Sequence, residues 1–111
     1  MKIQFRRGDS HEQGFLLTVQ QQPDLTEYDE IYFTVKKQAH ESEPVLQKRL
    51  TDGGIVSDGD GHYTIFFLPE DTDGLMFGTY AFDIELKKEN FKKTFVGLFI
   101  MDKEVTHANN E

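Results

Sequence analysis

Four histidines, twenty carboxylates and no cysteine set the chemistry open to this chain of 111 residues. His11, His40, His62 and His107 lie far apart with no paired spacing, whereas a zinc site needs three or four converging ligands. They read as surface histidines, and no metal is expected. Asp52, Asp58 and Asp60 offer carboxylates for calcium, but no Glu closes the loop, and strand residues follow Gly61 at once. A hairpin turn explains them better. Asp9, Ser10 and His11 are neighbours in sequence, but a nucleophilic triad is assembled in space. Ser10 also lacks the strained strand-to-helix elbow of a hydrolase. Asp83 and Glu85 alternate as solvated residues on a strand's outer face do, which is the ordinary place for such carboxylates. Gly53-Gly54 and Gly59-x-Gly61 precede no helix, so they fail the context of a phosphate loop. Without cysteine there is no disulfide, thiolate metal site or cysteine nucleophile. The chain is read as a non-enzyme with no catalytic, cofactor or metal site.

Charge narrows the partners. The formal net charge is −8, which favours solubility and opposes binding to a phosphate backbone. The basic residues come as scattered pairs, such as Lys36-Lys37 and Lys92-Lys93, with no basic stripe. No nucleic acid is expected. Tyr32 and Phe66 are candidates for stacking on bases or sugars, or for covering an edge of the core. No apolar stretch approaches the ~20 residues of a membrane span, and Met1 to Gly8 lacks the apolar run of a signal peptide. The expectation is a protein made in the cytoplasm, with no membrane partner.

The elements that must position these residues are strands. Thr79 to Lys87 alternates, with Tyr80, Phe82, Ile84 and Leu86 on one face and Asp83, Glu85 and Lys87 on the other. Ile31 to Lys36 repeats the pattern, with Ile31, Phe33 and Val35 inward. Further strands are predicted at Lys2 to Arg6, Gly14 to Gln20, Val45 to Leu50, Ile55-Val56, His62 to Leu68 and Phe91 to Met101. In Gly14 to Gln20, Phe15, Leu17 and Val19 share a face. Asp52-Gly53-Gly54, Asp58-Gly59-Asp60-Gly61 and Glu89-Asn90 mark turns. Pro69 to Leu75, with Pro first and acids next, predicts one short helical turn. About seven to nine short strands with turns between them indicate an all-β sandwich or barrel. Residues 1–106 form one domain, and 107–111 form a flexible polar tail.

The run Leu68-Pro69-Glu70-Asp71-Thr72-Asp73-Gly74-Leu75-Met76-Phe77-Gly78-Thr79-Tyr80-Ala81-Phe82-Asp83-Ile84 resembles the phage baseplate upper protein N-terminal domain family. Arg7-Gly8-Asp9, Asp24-Leu25-Thr26 with Ile31 to Lys37, Gly54 to Ile65, and Phe99 to Thr106 resemble other parts of that pattern. The resemblance covers roughly residues 5–106 and implies an immunoglobulin-like antiparallel β-sandwich. It also implies a phage or prophage virion structural protein, a tail or baseplate component. Leu75, Gly78 and Tyr80 then read as a structural corner. Gly78 takes a backbone shape closed to other residues, Tyr80 bonds back to upstream backbone, and Leu75 plugs the end of the core.

One strand departs from the half-wet rule. Phe91 to Met101 is apolar on both faces, with Val96, Leu98 and Ile100 opposite Phe95, Phe99 and Met101. Phe66 and Leu68 depart in the same way. These five residues are the candidate interface, because contiguous exposed apolar area marks contact surfaces. The expected partners are other phage structural proteins or further copies of the chain. The rival reading is a small module binding cell-surface glycan or protein, which would want exposed Trp or Tyr in a groove. The chain has no Trp.

Overall fold

The computed structural model describes residues 1–38 and 43–103. In order these form β1 (Lys2–Arg6), β2 (His11–Leu16), β3 (Thr18–Val19), β4 (Gln22–Pro23) and β5 (Glu30–Lys36). Then come β6 (Pro44–Arg49), β7 (Ile55–Gly59), β8 (His62–Phe67), α1 (Pro69–Thr72), β9 (Gly78–Lys88) and β10 (Phe91–Asp102). One sheet has the order β1-β10-β9-β5-β6 and the other β2-β8-β7, with β3-β4 as a small ribbon. All pairings are antiparallel except β1 on β10, which is parallel. β10, β9, β5 and β6 stand where G, F, C and C′ stand in an immunoglobulin sandwich, and β2, β8 and β7 where B, E and D stand.

The period of two builds the core. Tyr80, Phe82, Ile84 and Leu86 on β9, and Ile31, Phe33 and Val35 on β5, are buried with Phe99 and Met101 of β10. They meet Ile55, Tyr63, Ile65 and Phe67 from the second sheet. Phe33 lies 5.7 Å from Phe67 and 5.2 Å from Phe82, ring centre to ring centre, so the aromatics bridge the sheets. Pro44 opens β6, a position where its missing N–H is tolerated. Lys48 points inward from β6 and pairs with Asp71 of α1 at 2.6 Å.

Two strand expectations need correction. The run from Gly14 to Gln20 is not one strand. It breaks at Leu17, whose N–H bonds to Gly61 and whose C=O accepts from Asp24. Leu17 is buried by this diversion while Val19 is left exposed, so Phe15, Leu17 and Val19 do not share a buried face. The strand at Ile55-Val56 runs on to Gly59, because β8 pairs with it as far as His62. The tight turn is therefore Asp60-Gly61, both at positive φ (54° and 82°), as a two-residue hairpin of this kind needs. The last three residues of the expected domain, 104–106, and the tail 107–111 lie outside the described residues.

Candidate functional site

Three places in the fold gather side chains that could form a site. The first is the corner between the sheets. Pro69 opens α1, and Asp71 accepts a hydrogen bond from the Leu68 N–H (2.7 Å), half of a capping box. Tyr80 Oη donates to the Met76 carbonyl at 2.8 Å, the bond of a tyrosine corner. Gly78 has φ 131°, a value that favours glycine. Leu75 is half-buried against the core. The Gly8 N–H donates to Thr72 Oγ1 (2.8 Å), and Arg7 Nη1 donates to the Leu75 carbonyl (3.1 Å). The Arg7 guanidinium also sits 4.3 Å from the centre of the Phe77 ring. The two sequence runs Arg7-Gly8-Asp9 and Pro69 to Tyr80 thus meet at one place, 64 residues apart in the chain.

The second place is the outer face of the five-stranded sheet. Register puts Lys2, Leu98, Ala81 and Lys36 in one row, and Val96, Asp83 and Thr34 in the next. Val96 is 74 % exposed and Leu98 49 %, while Ile100 is half-buried. The small Ala81 leaves a shallow hollow of about 360 Å³ beside Val96 and Leu98. Lys2 and Arg6 of β1, Lys92 of β10, Lys87 of β9, Lys36 of β5 and Arg49 of β6 share this face with Glu30, Asp83, Glu85 and Asp102. Six bases against four acids give the face net +2 on a chain of net −8.

Phe66 and Leu68 are not part of that surface. β8 belongs to the other sheet, so Phe66, which is half-buried, and Leu68, which is exposed, face the opposite side of the sandwich. The five candidate interface residues form two patches, not one. Sequence alternation gives the face of a strand but not the sheet it joins. Val56, exposed and diagonal to Phe66 across the β7–β8 pair, shares this face, and sequence reading passed it over; Leu16, also exposed, sits at the far end of β2 opposite His62 and lines a hollow with Phe95 and Val96. Glu12 and Asp58 are the charged residues of this second face. Asp58 accepts a hydrogen bond from Thr64 Oγ1 at 2.6 Å.

The third place is a crevice of about 490 Å³ between residues 24–28 and the turn at 59–61, which sequence reading also missed. Asp24 is 6 % exposed, and Oδ1 accepts from the Thr26 N–H at 3.0 Å while Oδ2 accepts from Tyr28 Oη. Burial pushes the Asp24 carboxyl up, but these bonds and the charge of Lys93 outweigh it and hold it below its ordinary value. Burial and the neighbouring carboxylate push the Tyr28 hydroxyl up to about 12. Both oxygens of Asp24 are committed to holding the segment after β4, so the acid works as a structural anchor. An Asp two residues before a Thr is the signal of a local turn, but nothing nearby in sequence announces Tyr28 as its partner.

The remaining candidates are dispersed. His11 stacks on Phe5 at 4.4 Å and shares a hydrogen bond with Gln13, while Ser10 is exposed. Asp52 caps its own turn by accepting from the Gly54 N–H. Tyr32 is half-buried, with the Arg49 guanidinium 5.1 Å from its ring centre and the Lys87 ammonium 5.9 Å away. Partial burial raises the Asp83 carboxyl above its ordinary value, opposed by Lys36 and helped by Glu85, which itself pairs with Lys92 at 3.1 Å. His62 is exposed, and His40 and His107 lie outside the described residues. Among the described residues no three His, Asp or Glu side chains group as metal ligands would. No protein-family model matches this chain, and no curated protein matches it.

Proposed function

We propose that this chain is a non-enzymatic structural component of a phage or prophage virion, a tail or baseplate part that works through protein–protein contacts. The observation that carries the reading is the apolar stripe Val96, Leu98 and Ile100 along β10, next to the edge strand β1 of a five-stranded sheet. Exposed Val and Leu in a row on one sheet face form contiguous apolar surface, and surface of this kind marks interfaces. The resemblance of the Pro69 to Ile84 run to the baseplate family supports the virion assignment. That run folds as the corner that turns the chain from one sheet to the other.

The test is to purify particles from the host that encodes the chain and to measure its copy number by quantitative mass spectrometry. The expected result is an integral number of copies per particle that persists through density-gradient purification. Absence from purified particles overturns the reading. The alternative, a module for cell-surface glycan or protein, is favoured by the crevice that Tyr28 and Tyr63 line. Saturable binding of a host wall glycan by the folded chain would replace the virion reading with that one.

A further inference from the structure

We propose that copies of this chain stack head to tail, the outer face of the five-stranded sheet in one copy docking on the outer face of the three-stranded sheet in the next. The inference rests on the structural-protein reading and names its partner as a second copy. Two unpartnered apolar surfaces lie on opposite sides of one sandwich: Val96, Leu98 and Ile100 on one, Val56 and Phe66 on the other, with Leu68 just past the end of β8. Their charges are opposite in sign. The first face carries net +2, while the second carries Glu12 and Asp58 with no Lys or Arg on its strands. Each face set against itself would bring together two surfaces of the same net sign. One set against the other joins opposite charges, which steers encounter and fixes register.

A contact between different faces of identical subunits does not close on itself after two copies. It continues into a ring or a filament, depending on the rotation between neighbours. The hollow over Ala81 gives the first face a recess for a projecting apolar side chain. The second face is small. At ~4.8 Å between strands and ~3.4 Å per residue, its three strands offer roughly 300 Å² of projected surface, well under the ~800 Å² per partner of a standard interface. A single contact is therefore weak, and association in solution depends on concentration.

The experiment is sedimentation velocity on the whole chain, from micromolar to millimolar, with Leu98→Glu and Val56→Lys as variants. Both positions are exposed, so the fold should survive, and circular dichroism checks it. Val96→Glu and Glu12→Lys, also at exposed positions, stand in if either variant unfolds. The wild type is expected to exceed the mass of a dimer at high concentration, and to lose mass as salt is raised. Each variant alone should associate roughly tenfold more weakly, a hot-spot loss. Mixed in equal amounts, the two variants should form pairs and stop there, because each supplies the face the other lacks.

A wild type that stays monomeric at every concentration overturns the proposal. So does a Val56→Lys chain that associates normally while Leu98→Glu does not, since that is the signature of like faces pairing. A mixture showing no pairs overturns it as well. The virion reading fails separately, on particle composition: a monomeric chain found in purified particles sinks the stacking alone.

Discussion

Asp24 shows what one buried carboxylate does when its partners are tertiary. Its carboxyl is held below the ordinary value in the fold, and Glu30, bonded by Thr51 and by backbone N–H groups, is held low as well. A depressed carboxylate means that the unfolded chain binds more protons than the folded one. Its stabilisation is present above the unfolded value and lost as pH falls through the folded value. Urea denaturation should show stability declining on acidification below about pH 4.5, with a weaker decline in Asp24→Asn. Tyr28 has the opposite sign, since its hydroxyl is raised from 10.0 to about 12. The folded chain keeps that proton longer, so stability declines as pH rises from 10 to about 12. Burial raises the Tyr63 hydroxyl too, so Tyr28→Phe should lessen this alkaline decline, and it should cost about 1–3 kcal/mol at neutral pH, because a buried carboxylate oxygen loses its donor. Unchanged stability in Tyr28→Phe would refute the anchor role.

At the scale of elements, β10 depends on a residue with no side chain. A methyl group at Gly97 would come within 2.4 Å of the Met1 carbonyl oxygen and 2.6 Å of the Phe82 ring. Gly97 thus lets the edge of the Phe82 ring approach β10 closely, and lets the chain before β1 approach until the Leu98 N–H bonds to the Met1 carbonyl at 3.1 Å. Gly97→Ala should cost about 1–3 kcal/mol by overpacking, seen as a lowered thermal midpoint with the β-sheet circular dichroism retained. A midpoint equal to wild type would show that Phe82 repacks freely. Elements of this kind were unevenly legible. β9 could be read from its sequence because nine residues, Thr79 to Lys87, alternate without a break, with one wet face. The turn at Pro69 was legible because proline and acids mark a helix start locally. The break at Leu17 was not, since its cause is a pair of hydrogen bonds to Gly61 and Asp24, residues remote in sequence. The full length of β7 was not either, because Ser57-Asp58-Gly59 has little strand character and is held in place by β8.

Across the whole molecule the two sheets share one core. Phe5 from β1 lies 5.1 Å from Phe67 of the second sheet and 5.7 Å from Phe99 of the first, ring centre to ring centre. Neither sheet has a hydrophobic cluster of its own to fall back on, so unfolding should be a single cooperative event. Calorimetry should give one transition with an enthalpy of about 75 kcal/mol and equal calorimetric and van't Hoff values. Two resolved transitions would mean that the sheets melt apart.

From the order of its residues alone, this chain determined its alternating strands, its glycine turns and its corner at Pro69 to Tyr80, because each depends on neighbours within a few positions. Which strands share a sheet came from long-range pairing, which sent Phe66 and Leu68 to one side and Val96, Leu98 and Ile100 to the other. Sheet membership is settled by backbone hydrogen bonds between segments far apart in sequence. Alternation, which has only two faces to distribute, carries no record of those bonds.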